Sequence, residues 1–275
     1  MFKALLLTTG LGLSCQALAE NLVFNHDNVL GSSLTISIDA NEQEAQVAEK
    51  KALTEIKRLE SIFSSYRADS ELSQINATTE TIQRPVSAEM LELVQLCQKW
   101  QQQLSMAFSC RLGRVKQAWR TAEQDQSRPD RKVIRALARE ALYSDYPVDN
   151  LRKQLSPDAF DWDFGAIAKG YIIDRALLAV QNHAPSAQRI AIEIGGDTRL
   201  WQKNLTQSPW QLAIANPQLV DDSQQATLGQ LSLPQGAVAY SGHSARTIKI
   251  GRRHYSHILK PRDGWPKDHN ITAIV

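Results

Sequence analysis

The residues best suited to chemistry stand together in Asp161-Trp162-Asp163-Phe164-Gly165-Ala166-Ile167-Ala168-Lys169-Gly170-Tyr171-Ile172-Ile173-Asp174. An acid in a short loop precedes small residues and then the first turn of an amphipathic helix, with Ile172, Ile173, Ala176, Leu177 and Val180 at its apolar positions. The first N–H groups of a helix have no partner inside it. Small residues there let a phosphate approach, and Lys169 adds a formal charge. Asp163 needs its own explanation, since a carboxylate beside a phosphate site holds a sugar hydroxyl, an amino group or a divalent cation. The competing reading makes Asp163 an N-cap and Lys169 a solvated first-turn side chain, and spacing alone favours neither. Two later features stay equally open. Gly195-Gly196 serves either a turn or a close approach of backbone to ligand, and His257, on an alternating stretch, is either a structural histidine or a base.

Taken in order, three motifs resemble the ApbE family of flavin transferases. They are Asp163-Phe-Gly-Ala-Ile-Ala-Lys169-Gly170 with Asp174, Glu193-Ile-Gly195-Gly196-Asp197, and Ser256-His257-Ile258-Leu-Lys-Pro261-Arg-Asp-Gly264-Trp-Pro266. The resemblance runs from about Leu30 to the end of the chain and implies an FAD:protein FMN transferase. In that reaction a threonine of a target flavoprotein attacks the FMN phosphorus of FAD and AMP leaves, with Mg2+ offsetting phosphoryl charge. The same resemblance implies that Asp163 and Lys169 hold FAD, that the carbonyl of Ala166 is a magnesium ligand, that Tyr66 packs on the flavin, and that Ile258 contacts the cofactor. Leu30 stands where the family has methionine. Ala107-Phe108-Ser109-Cys110 stands where it has alanine-phenylalanine-aspartate-proline, so Leu30, Ala107, Phe108 and Ser109 are cofactor-binding positions, of which Leu30 and Ser109 carry altered side chains. His257 is the candidate base for the acceptor hydroxyl.

Family chains continue past the equivalent of Val275 into a helix whose acids complete the metal site, so the chain is expected to be truncated there. Asp263 and Asp268 are not expected to substitute. Two alternatives follow, a metal-dependent FAD pyrophosphatase in which water replaces threonine, and a non-enzymatic flavin-binding remnant.

The elements that must position these residues divide the chain. Leu34, Ile36 and Ile38 alternate as a half-buried strand, after which Asp39 or Asn41 starts a helix with Ala48, Ala52, Ile56, Leu59 and Phe63 on one face. Ser87 is the expected N-cap of a helix carrying Met90, Leu93, Val94, Cys97 and Leu104 inward, and further helices are predicted over 114–122 and 131–143. Beyond the central helix, Ile190, Ile192 and Ile194, then Leu212 and Ile214, then residues 228–233, 237–241, 246–250 and 254–259 read as strands, with Gly251-Arg252 a tight hairpin. This predicts one α+β domain, a twisted mixed or antiparallel sheet with packed helices. The resemblance makes it ApbE-like, a T-fold-like architecture.

Residues 1–19 read as a signal peptide. Lys3, an apolar run from Ala4 to Leu13 and Ala17-Leu18-Ala19 precede a mature domain of residues 20–275 in the periplasm. Leu13-Ser14-Cys15 also resembles a lipoprotein box, and membrane attachment is expected only through a lipid anchor at Cys15. The net charge of +2 and the lack of a basic run argue against nucleic acid. Cys97 and Cys110 are expected as two buried free thiols, and no cysteine or histidine pattern points to zinc.

Overall fold

Strands with isoleucine at every second position must bury one face, and the chain folds so that two of them bury it together. The computed structural model describes residues 21–78, 84–146, 148–149, 152, 154–155, 161–215, 227–239, 241–242, 247–267 and 273–274. The expected leader with Cys15, the start at Glu20 and Asp268 lie outside these residues.

The chain opens with β1 (Asn21–Val29) and β2 (Ser32–Asp39), followed by α1 (Glu42–Phe63) and the short α2 (Glu71–Asn76). Next come β3 (Arg84–Pro85), α3 (Ala88–Gln103), α4 (Gly113–Gln124) and α5 (Arg131–Tyr143). Two small strands, β4 (Val148–Asp149) and β5 (Gln154–Leu155), precede the central helix α6 (Ala168–His183). The remainder is β-rich: β6 (Arg189–Ile194), β7 (Asp197–Gln202), β8 (Trp210–Ala215), β9 (Thr227–Leu233), β10 (Gly236–Val238), β11 (Ser241–Gly242), β12 (Thr247–Ile250), β13 (Arg253–Ser256) and β14 (Ala273–Ile274).

The main sheet has the order β1-β2-β6-β7-β10, and every pairing in it is antiparallel. Its register sets Leu34 opposite Ile194, Ile36 opposite Ile192 and Ile38 opposite Ile190, so apolar side chains meet in cross-strand pairs on one buried face. Against that face lie α1 and α6. Alanines at 45, 48 and 52 on α1 and at 168 and 176 on α6 keep both helices close, while Ile56, Leu59, Ile172 and Val180 fill the space between. Asn41 caps α1 by accepting from the Glu44 N–H at 2.9 Å, and Ser87 caps α3 by accepting from Met90, as their sequence positions require.

A second, smaller core joins Val115, Trp119 and Ala122 of α4 to Ile134 and Ala138 of α5 and Ile250 of β12. Tyr255 and Trp265 flank Trp119 with ring centroids 5.2 and 4.8 Å away. The Trp119 indole N–H donates to the Gly264 carbonyl at 2.9 Å, pinning the turn that follows His257. A Cβ on Gly264, whose φ is +67°, would collide with Ile134.

Two expectations are overturned. Leu104, expected inward, is the C-cap of α3 and is exposed. Cys97 and Cys110 are not free thiols but a disulfide, with Cα atoms 5.9 Å apart. The chain leaving α3 reverses through Ser105 and Met106, both at positive φ, and so returns Cys110 over the inward face of the helix that carries Cys97. Helical periodicity identified Cys97 as buried but carried no information about that reversal. The strand expected at 254–259 is also shorter, since β13 ends at Ser256 and leaves His257 in the following turn.

Candidate active site

A cavity of about 400 Å³ opens where α1 ends, the β1–β2 turn folds over and α6 begins. Leu30 and Gly31 form one wall, Phe63 and Ser64 to Arg67 a second, and Phe164, Gly165, Ala168, Lys169 and Ile172 the third.

Each wall has a local cause. Leu30 and Gly31 have φ of 52° and 72°, the left-handed pair that a tight hairpin of the type I′ class demands. A leucine held there costs about 1–2 kcal/mol, and the strain puts an apolar side chain on the cavity wall. Past α1, the Ser64 side chain accepts from the N–H groups of Tyr66 and Arg67, each at 3.2 Å, and the Ser64 carbonyl accepts from Ser70 Oγ at 2.6 Å. This fastens a loop whose tip is Tyr66. The Tyr66 ring is 78% exposed and lies 5.8 Å from the Arg120 guanidinium of α4, an aromatic face left open at the cavity lip.

The third wall is the segment with the acid. Trp162 and Phe164 are buried and stacked at 5.7 Å, and Asn76 clamps the Trp162 backbone from both sides at 2.9 and 2.8 Å. Gly113 donates to the Asp161 carbonyl at 3.0 Å, and a Cβ on Gly113 would stand only 2.6 Å from that oxygen. Asp161 is half-buried, and burial pushes its carboxyl above the ordinary carboxylate range, opposed by Arg114 at 3.5 Å.

Asp163 is not the N-cap of α6. That position belongs to Ile167, with no side-chain cap bond, and α6 begins at Ala168. Instead the Asp163 N–H donates to the Cys110 carbonyl at 2.7 Å, Oδ1 accepts from Gly165 N at 3.0 Å, and Oδ2 pairs with Lys116 Nζ at 2.6 Å. Lys169 is not simply solvated either, because it pairs with Asp197 Oδ2 at 2.6 Å. Gly195 and Gly196, at φ of 57° and 90°, form the β6–β7 turn, and a Cβ on Gly195 would press into Ser32 Oγ. The pair thus makes a turn, and a Cβ on Gly195 would stand 3.8 Å from the Lys169 ammonium.

Of the residues singled out from the sequence, Leu30, Tyr66 and Lys169 line the cavity and Asp163 adjoins it through Gly165. The Ala107–Ser109 loop joins Asp163 through Cys110. Phe108 packs on the main core, and Ser109 Oγ accepts from the Arg111 N–H at 3.1 Å. Ala166 is exposed in the turn before α6. His257 and Ile258 are exposed just past β13 and do not line the cavity; Arg262 of the same segment reaches the Ser105 carbonyl at 3.5 Å. Sequence reasoning missed Lys116, Arg120 and the pairing role of Asp197. Lys116 immediately follows the inward Val115, and that was its one available signal.

For a metal, the described residues supply at most part of a site. No group of three His, Cys, Asp or Glu side chains among them could hold an ion, and Asp163 and Asp197 are each already paired with a lysine.

An apolar cavity with an open aromatic ring at its lip and Lys169 and Glu60 on its wall defines an α+β protein with a candidate ligand site. The chain belongs to the ApbE family, whose profile matches residues 30–275. A protein of Klebsiella pneumoniae (strain 342) named FAD:protein FMN transferase is 25% identical over 260 residues, spanning 94% of this chain and 78% of its own. A Vibrio cholerae protein of the same name is 27% identical over 247 residues, spanning 84% and 70%. The crystal structure of the ApbE protein of Thermotoga maritima superposes with a TM-score of 0.80 at 24% identity, covering 92% of this chain and 80% of that one. The apo form of the Pseudomonas stutzeri flavinyl transferase ApbE gives 0.74 at 23%, covering 92% and 78%. The fold is thus the ApbE fold.

Proposed function

We propose that this protein is an FAD:protein FMN transferase, moving FMN from FAD to a threonine of a target flavoprotein with release of AMP. The observation that carries the reading is that Leu30, Tyr66 and Lys169, from three separate stretches of chain, wall one cavity beside Asp163. Tyr66 offers its open face to the flavin ring, and the apolar wall of Leu30, Phe63, Phe164 and Ile172 excludes water from it. Lys169 meets the pyrophosphate oxygens, oriented by Asp197. Asp163, held by Gly165 and Lys116, accepts from a ligand hydroxyl or amino group.

In the reaction the threonine Oγ forms a bond to the FMN phosphorus while the bond from that phosphorus to the bridging oxygen breaks. That oxygen leaves with AMP, and the threonine proton passes to a base, for which His257 is the candidate. Magnesium, with the Ala166 carbonyl as one ligand, belongs to the proposal and would supply further charge neutralisation. Export to the periplasm also belongs to it, and the buried disulfide supports an oxidising compartment.

The test is to incubate the protein with FAD and a threonine-bearing acceptor, with and without magnesium, and weigh the products. Transfer gives an acceptor heavier by FMN together with free AMP, abolished by chelation if the metal is needed. Free FMN and AMP with an unmodified acceptor would instead establish a pyrophosphatase.

A further inference from the structure

Lys116 has only a supporting part in the reading above, yet its ammonium stands in the same kind of position as that of Lys169. Each meets a carboxylate at 2.6 Å, Asp163 in one case and Asp197 in the other. Each lies against a glycine. Lys116 Nζ is 3.7 Å from where a Cβ on Gly165 would stand, and Lys169 Nζ is 3.8 Å from the equivalent point on Gly195. Both lysine side chains are about a third exposed, at 37% and 36%, whereas their acids are more covered, at 17% and 21%. An ammonium has three N–H donors, so a single bond to aspartate leaves two for a ligand. Gly165 and Lys169 both belong to the cavity wall, and Lys116, which is not itself a lining residue, approaches that wall at Gly165.

We propose that Lys116 is a second phosphate-binding cation, so that Lys116 and Lys169 together hold a nucleoside diphosphate or its ester, each oriented by its own aspartate. The inference deepens the proposed function at the same site. There, the charge of two adjacent phosphates is met by two cations from the chain itself, one from α6 and one from α4. Such a pair favours a diphosphate over a nucleoside or a free flavin, because each ammonium bonds phosphate oxygens that those ligands lack. Gly165 is part of the device, since a side chain there would crowd Asp163 Oδ1 at 3.0 Å and stand 3.7 Å from Lys116 Nζ.

The competing account is that Lys116 only neutralises Asp163, and ligand dependence separates the two. Wild type, Lys116→Gln, Lys116→Arg and the double variant Lys116→Gln/Asp163→Asn are titrated calorimetrically with FAD, ADP, adenosine and riboflavin. For Lys116→Gln, the expected result is a loss of affinity of about tenfold or more for FAD and ADP, as for a lost charge-assisted bond, with adenosine and riboflavin unchanged. Lys116→Arg keeps most of the affinity, and the double variant recovers none of the loss for ADP. Equal losses for all four ligands, recovery in the double variant, or unchanged ADP binding would each overturn the proposal. So would a wild type that binds neither ADP nor FAD. Absence of FMN transfer would sink the transferase reading alone, because ADP binding reports on the lysine pair whether or not a flavin is moved.

Discussion

The two cores of this protein do different work. The large one, between the main sheet and α1 with α6, builds the cavity: the β1–β2 turn, the end of α1 and the start of α6 are all fixed by it. The small one, around Trp119, contributes almost nothing to the walls but carries the groups that reach toward them. Lys116 and Arg120 extend from α4, and the segment with His257 is held by Tyr255, Trp265 and the bond from Trp119 to Gly264. A shape that must be rigid is assigned to a sheet packed on two helices, and Lys116 and Arg120 reach it from a smaller unit locked onto it. Among the described residues, the contacts that join them include the Lys116–Asp163 pair, the Arg114–Asp161 pair and the close approach of Gly113 to Asp161.

The sharpest way to break the contrast is to empty the small core. Trp119→Ala is expected to cost about 3–5 kcal/mol in urea unfolding, the range for a fully buried tryptophan, and to free the His257 segment. A cost below about 1 kcal/mol would mean that the small core is not a packed unit.

Removing the disulfide tests the large core where it meets α4, since Cys97 and Cys110 both belong to that core. Cys97→Ala with Cys110→Ala is expected to lower stability by about 3 kcal/mol, the chain-entropy value for a loop of this size, and to loosen the carbonyl that holds Asp163. Thermal unfolding of oxidised wild type against the double variant measures it, and equal melting temperatures would contradict it. On the large-core side, Lys169→Ala is expected to weaken FAD binding by about 1–3 kcal/mol with little change in melting, read by flavin fluorescence. Unchanged affinity in a folded variant would return Lys169 to a purely structural pairing.

The smallest effect lies far from the site, at the start of α1. Bonds from the Ser186 hydroxyl and N–H, with a further one from Asn41, hold the Glu44 carboxyl below its ordinary value near 4.5. Because the folded value lies below the unfolded one, the stabilisation is fully present above about pH 4.5 and is lost as pH falls through the folded value. Glu44→Gln should therefore remove a small part of the acid-side loss of stability and leave FAD binding untouched. An unchanged acid profile would contradict the assignment.

How much of this was legible in the sequence follows the same division. The large core was readable because Leu34, Ile36 and Ile38, the face of α1 and the isoleucines at 190–194 have the periods that burial imposes. The caps at Asn41 and Ser87 were equally plain. β1 escaped notice because it is an edge strand with no fully buried residue, so its pattern is muted. β7 escaped because among its residues only Leu200 and Gln202 are buried, one of them polar. At the site, Tyr66, Lys169 and Leu30 came through the family motifs, whereas Lys116 and the disulfide depend on how α3 and α4 are joined, a long-range fact that local periodicity does not hold.

The central claim, that one core makes the cavity and the other supplies the reacting group, is tested most directly by His257→Ala, measured for FAD affinity and for the rate of FMN attachment to a threonine acceptor. The account predicts an FAD dissociation constant within about twofold of wild type and a transfer rate lower by about 10²–10⁴, the contribution of a positioned base. Loss of FAD affinity matching the loss of rate, or transfer at the wild-type rate, would contradict it.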